Sequence, residues 1–281
     1  MFLVRCTSSS NMTEPRDRWN KIALLKTARA YASSVVLPDG GIWILGGLGS
    51  NSVLKTTEIL KQSSDGSWKM SKGPDMPRSL FGHCVTKLEN GKILLTGGFD
   101  NDDQTDISEE FAWTGDFWSG KWTKKPWSAL KTPRYDHVCF SLGVGAYLAG
   151  GWKAGYDGRL KTEIFDTDAR TWMEVDLNLS GKAIDTELPD VLRSASVGIS
   201  QGSVALIGGV SCKWKTNANG TSSGMKTCFK HKEVYELVLT TALDSAKWKK
   251  TNKTIGTPRS SLTTITVPEF IDFSCREQKN D

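Results

Sequence analysis

Four times in 281 residues, a run of bulky apolar side chains ends in two consecutive glycines: Gly46-Gly47, Gly97-Gly98, Gly150-Gly151 and Gly208-Gly209. One such pair would mark a tight turn, because glycine reaches backbone angles that other residues adopt only at a steric penalty. Successive pairs lie about 51, 53 and 58 residues apart, so the chain reads as a repeat of one supersecondary unit.

Other landmarks keep step with the glycines. An arginine heads the apolar segment before each pair: Arg29 in TARAYASSVV, Arg78 in MPRSLFGHCV, Arg134 in TPRYDHVCF and Arg193 in VLRSASVGI. A strand-like run follows each pair (TTEILK, SEEFAW, KTEIFD, KEVYELV), and then a tryptophan: Trp68, Trp122, Trp172 or Trp248. Turn-rich text such as LPDGG, SSDGSW and ENGK divides each unit into four short strands. A four-stranded sheet of this size cannot bury both faces alone, but units set around a central channel cover one another. The glycines would let strands turn out of a crowded inner layer, and the tryptophans would fill the space between units.

In this order the arginine, the glycine pair, the glutamate-containing strand and the tryptophan resemble kelch repeats over residues 19 to 268. The resemblance implies an all-β, kelch-type β-propeller occupying residues 1–275 as a single domain, with a polar tail at 276–281. Four complete blades are expected at about 27–76, 77–131, 132–190 and 191–256. Ile59, Phe111, Phe165 and Tyr235 stand in the region where kelch repeats usually carry a tyrosine. MFLVRC resembles a third strand and DRWNKI, with Trp19, a fourth; TPRSSLTTITVP and EFIDFSC resemble a first and a second. Residues 1–26 and 257–275 would together make a composite blade, giving five blades or an incomplete six-bladed ring.

The chain has six cysteines. Cys6 and Cys275 follow strands that would be neighbours in the composite blade, and are either a bridge closing the ring or two free thiols. Cys212 and Cys228 bracket KWKTNANGTSSGMKT, which shows no strand pattern, and a bridge there would tie down a long loop. Cys84 and Cys139 lie in expected inner strands and are read as unpaired small hydrophobes. Asn11, Asn178, Asn219 and Asn252 each open an N-x-S/T acceptor for glycosylation. Together with the cysteines these lean towards the secretory pathway or the cell exterior. The cytoplasm stays open, because MFLVRC is too short for the apolar region of a secretory signal.

The net charge is +5, but Lys and Arg are interleaved with acidic residues, so no basic stripe for nucleic acid is expected. No apolar run approaches the roughly 20 residues of a membrane span, so no membrane insertion is expected. The histidines are His83, His137 and His231, and none stands at zinc-ligand spacing with cysteine; no metal, cofactor or catalytic residue is expected. A galactose-oxidase-like copper site would need two tyrosines and two histidines. Tyr31, Tyr135, Tyr147, Tyr156 and Tyr235 give no local match to one.

The expectation is therefore a non-catalytic scaffold that binds a protein partner. The loops after the glycine pairs share a rim with the loops between blades, and the kelch resemblance implies that partners bind there. Candidate contacts are Phe99, Asp100, Asp102 and Asp103 in the second blade, Trp152 in the third, and Lys213, Trp214 and Lys215 in the fourth. The alternative is an extracellular glycan-binding protein or a copper oxidase. No BTB or F-box pattern is read in these residues, so a ubiquitin-ligase adaptor role is not expected.

Overall fold

The computed structural model describes residues 2–5, 19–100, 108–112, 120–124, 129–142, 145–153, 160–166, 169–175, 192–193, 196–200, 203–216, 222–238 and 247–254. Every helix or strand among the described residues is a strand. Two N-terminal strands, β1 (Phe2–Arg5) and β2 (Trp19–Ala23), pair antiparallel. Three four-stranded antiparallel meanders follow. The first contains β3 (Ser33–Val36), β4 (Ile42–Leu45), β5 (Thr57–Gln62) and β6 (Trp68–Gly73). The second contains β7 (Cys84–Lys87), β8 (Ile93–Thr96), β9 (Ser108–Ala112) and β10 (Lys121–Lys124). The third contains β11 (Val138–Leu142), β12 (Gly145–Ala149), β13 (Thr162–Asp166) and β14 (Thr171–Val175).

The fourth blade begins with β15 (Leu192–Arg193), β16 (Ser196–Ser200) and β17 (Ser203–Ile207). A hairpin of β18 (Val210–Thr216) and β19 (Ser222–Lys230) then projects before β20 (Glu233–Val238) and β21 (Lys247–Thr254) complete the blade. The blade sheet runs β16-β17-β20-β21, and a separate sheet runs β15-β18-β19. The described residues between Cys212 and Cys228, 213–216 and 222–227, are therefore paired strand, not the structureless loop expected from their polar composition.

The first strands of successive blades pack side by side, β3 on β7, β7 on β11 and β11 on β16, so they form the inner wall. The glycine pair closes the second strand, one layer further out. IWIL in β4 is apolar throughout because both faces of the blade are covered. Trp43 and Leu45 join a cluster with Met76, Leu80, Ile93 and Leu95 towards the second blade, while Ile42 and Ile44 face Ala23, Leu25 and Trp68. The core thus lies between blades rather than within them. Trp122 reaches back to the first blade, its ring centroid 5.8 Å from that of Trp43 and its Nε1 donating to the Asp75 carbonyl at 3.1 Å. Trp172 is fully buried against Phe165 and, from the second blade, Leu88 and Leu94. Gly40, Gly66 and Gly91, in the DG and NG turns, have φ of 82°, 81° and 79°. This is the left-handed position that three-residue hairpin loops require.

Cys84 and Cys139, expected to be unpaired, form a disulfide with an S–S distance of 2.11 Å. The inner walls of the second and third blades bring their Cα atoms to 5.9 Å, a separation the individual strands could not disclose. Cys228 is also disulfide-bonded and lies opposite Cys212 in the hairpin register. Cys6, Cys275 and the expected strands of 257–275 lie outside the described residues, as do Asn11, Asn178 and Asn219. Asn252 is exposed on β21. Trp19 and Trp248 are described only as backbone positions in β2 and β21.

All eight residues of the glycine pairs have positive φ, and Gly97 shows why. A Cβ there would strike the Arg134 carbonyl of the next blade and come within 2.6 Å of the His137 ring. Gly66 has a similar backbone angle but nothing within 4 Å of an added Cβ. Gly97→Ala is expected to cost about 3 kcal/mol or more and Gly66→Ala about 1 kcal/mol. Urea unfolding of the two variants measures that gap.

Candidate functional site

One end of the propeller is built from the residues just before each first strand and just after each glycine pair. They join as isolated bridges, Ala30 with Leu48, Phe81 with Phe99, and Tyr135 with Trp152. The next residue in each blade is Tyr31, Gly82 or Asp136, with φ of 53°, 61° and 57°. That shared backbone bend points these residues at the neighbouring blade. Gly82 N donates to the Tyr31 carbonyl at 3.0 Å, and Asp136 N to the Gly82 carbonyl at 2.7 Å. Deeper in the joint, Gly47 N donates to the Leu80 carbonyl at 2.8 Å and Gly98 N to the Arg134 carbonyl at 2.9 Å. The rim of three blades is thus one hydrogen-bonded course.

On this course the rings form a continuous ladder. Tyr31 meets Phe81 at 6.1 Å between centroids, Phe81 meets Phe99 at 5.4 Å, Phe99 meets Tyr135 at 5.2 Å, and Tyr135 meets Trp152 at 5.4 Å. Tyr31 is 38% and Leu48 40% exposed, while Phe81, Phe99 and Trp152 are half-buried. The two aromatic candidates from sequence, Phe99 and Trp152, therefore belong to one surface. Tyr31, Leu48, Phe81 and Tyr135 join it without having been singled out. Asp100 follows Phe99 and is half-buried; Asp102 and Asp103 lie outside the described residues. Lys213, Trp214 and Lys215 are strand positions of β18, described through their backbone only.

Beneath the ladder, two arginines hold the turns in place. Arg29 Nη1 donates to the carbonyls of Gly46 at 2.7 Å and Thr56 at 2.8 Å, and its Nη2 donates to Glu58 at 2.9 Å. Glu58 in turn accepts from the backbone nitrogens of Lys26 and Thr27. Arg134 and Glu163 repeat this arrangement with Gly150, Lys161, Lys131 and Thr132, and both side chains have no exposed surface.

The other two arginines of the sequence register do not take this place. Leu80, fully buried, occupies the second blade's slot, because its carbonyl receives Gly47 N just as Arg134's receives Gly98 N. Arg78 stands two residues earlier. In the fourth blade Arg193 pairs with Val210, the counterpart of the Tyr135–Trp152 bridge, and Leu192 falls at the slot. Aligning the four arginines put the second blade two residues out of step and hid the equivalence of Phe81 and Tyr135.

His83 and His137 fill the joints between blades. The His83 ring lies over Gly46 of the preceding blade and its Cβ against Gly98 of its own; His137 bears the same relation to Gly97 and Gly151. His137 Nε2 lies 3.0 Å from Thr96 Oγ1. The Leu45 and Leu80 backbone lies against His83, but neither of its ring nitrogens makes a hydrogen bond of good geometry. Burial is the main cause that pushes His83 down to about 4, with Arg29 adding repulsion. Burial also holds His137 well below its ordinary value, helped by Arg134 and His83. Among the described residues no group of three or more His, Cys, Asp or Glu is placed to hold a metal ion, and no helix is long and apolar enough to cross a membrane.

No protein-family model matches the chain. It is 25% identical over 168 residues to the "Kelch repeat and BTB domain-containing protein 1" of horsepox virus, and equally to the proteins of that name from cowpox and vaccinia viruses. The match takes in 59% of this chain and 28% of each relative's length. The solved structure of YjhT is similar with a TM-score of 0.59 and 16% identity, over 90% of this chain and 79% of that one. The repeat, the blade sheets and these similarities define the chain as a kelch-type β-propeller.

The two buried histidines give the fold a pH dependence of known sign. Their folded pKa values lie below the ordinary 6.5, so below pH 6.5 the unfolded chain binds more protons than the folded one. Their contribution to stability is whole above 6.5 and is lost as pH falls towards 4. The urea midpoint is expected to drop across that window, and His83→Asn to lower the midpoint at neutral pH while flattening the slope.

Proposed function

We propose that the chain is a non-catalytic scaffold that binds a protein partner across the rim of its first three blades. The observation that carries this reading is the ladder from Tyr31 to Trp152, five rings in contact along one edge with Tyr31 and Leu48 exposed at its margin. Aromatic side chains supply large contact area with little rotamer entropy to lose, which makes them frequent anchors of binding energy. The inter-blade hydrogen bonds hold the platform before any partner arrives, and preorganisation lowers the cost of association. The similarity to viral kelch-repeat proteins supports the same reading. The disulfide-bonded Cys84, Cys139 and Cys228 favour an oxidising compartment, where the partner would be sought.

Tyr31→Asn combined with Leu48→Ser removes the exposed apolar margin while leaving at position 31 a residue that tolerates positive φ. The wild-type chain is expected to capture one or more proteins from a secreted or cell-surface fraction, and the double variant to retain less than a tenth of them at an unchanged melting temperature. Equal capture by both would overturn the rim assignment. Retention of glycans in place of proteins would assign the rim to carbohydrate.

A further inference from the structure

The link between second and third strands becomes, in the fourth blade, the hairpin of β18 and β19. Its base is fixed: Ser211 Oγ and His231 Nε2 lie 2.7 Å apart, and His231 N donates to the Gly209 carbonyl at 2.9 Å. Its middle is pinned, with disulfide-bonded Cys228 opposite Cys212. The free side of β18 is covered at its base by β15, through Leu192 with Ser211 and Arg193 with Val210. The other side of the hairpin is different: among the described residues no strand pairs with the outer edge of β19, which is nine residues long.

A long strand with an open edge presents a row of backbone donors and acceptors, which proteins ordinarily shorten, twist away or cover. Here the register shifts beyond Lys226, but from Lys226 to Lys230 the strand is regularly paired and is anchored at its base and at Cys228. The surroundings select what it can pair with. Phe229 is 53% exposed on β19, Lys230 and Lys232 are exposed at its base, and Lys249, Lys250 and Lys253 are exposed on β21, the outer strand paired with the β20 that follows it. Glu233 and Glu236 offset Lys250 and Lys253 in ion pairs. The sequence adds Lys213, Lys215 and Lys226 to the hairpin. A second copy of β19 would bring lysines against lysines, and like charges directly opposite on paired strands are destabilising.

We propose that the β19 edge takes up an extended, acidic polypeptide segment of a protein partner as an added strand. Backbone hydrogen bonds to β19 would supply the attachment, Phe229 an apolar contact, and the lysines the selection for acidic side chains. The site extends the reading of the chain as a binding scaffold but does not use the aromatic ladder, so either can fail alone.

The test is fluorescence anisotropy on the full chain with an eight-residue peptide alternating valine and glutamate. Companion probes are the same peptide N-methylated along one edge, a valine-lysine peptide, and a heparin oligosaccharide. The acidic peptide is expected to bind, the N-methylated form and the Lys230→Glu/Lys232→Glu variant each to weaken binding tenfold or more, and the lysine peptide not to bind. The Tyr31→Asn/Leu48→Ser variant should bind the acidic peptide as the wild type does. Failure of the acidic peptide to bind at millimolar concentration would overturn the proposal. So would equal binding of the N-methylated form, for then charge alone attracts the probe and heparin should bind as well.

Discussion

The structure depends on a close approach of two backbones. Where a second strand ends, a glycine amide donates to a carbonyl of the following blade, Gly47 to Leu80 and Gly98 to Arg134. There is no room for a Cβ at these points, and the required φ is positive. These contacts set the spacing between blades, and the spacing decides the rest. It brings Cys84 within bonding distance of Cys139, closes the apolar clusters around Trp43 and Trp172, and buries His83 and His137 without charge.

The buried arginines are a consequence of the same turn. A chain that bends sharply inside a propeller leaves carbonyls with open acceptor capacity, that of Gly46 and that of Thr56, which already receives Gly46 N, and a guanidinium with several fixed donors bonds both together. The glutamate beside it neutralises the charge and receives two backbone amides from the chain entering the blade. Buried ion pairs are poor sources of net stability, since desolvation offsets most of the attraction. The second blade agrees with that view: it has Leu80 at the same slot and still forms its four strands. The arginine's main contribution is to satisfy and orient the turn on which the rim ladder stands.

Much of this was legible in the residues because it is local. Apolar runs ending in paired glycines, DG and NG turns, and a tryptophan in each last strand mark out four units and their order along the chain. Three features were not legible, and each is a matter of register or distance. The arginines of the second and fourth blades stand two and one residues from the slot, so aligning them by type concealed Leu80 and the aromatic equivalence of Phe81 with Tyr135. The Cys84–Cys139 bond joins residues 55 apart, and only the packing of inner strands reveals it. The hairpin of β18 and β19 is rich in lysine, asparagine and glycine, residues with weak strand preference, and its pairing is imposed by a fixed base and a cross-strand cysteine position. Tertiary context overrode composition there.

The central claim is that the inter-blade contacts make the rim of the first three blades one rigid platform. Hydrogen exchange of the unliganded protein, read by NMR at individual amides, addresses it directly through Gly47, Gly82, Gly98 and Asp136. The account predicts that these four amides are protected as strongly as those of β4 and β8 and lose protection only with global unfolding. Fast exchange at these amides, with β4 and β8 still protected, would show blades that hold together through their cores alone, and would contradict it.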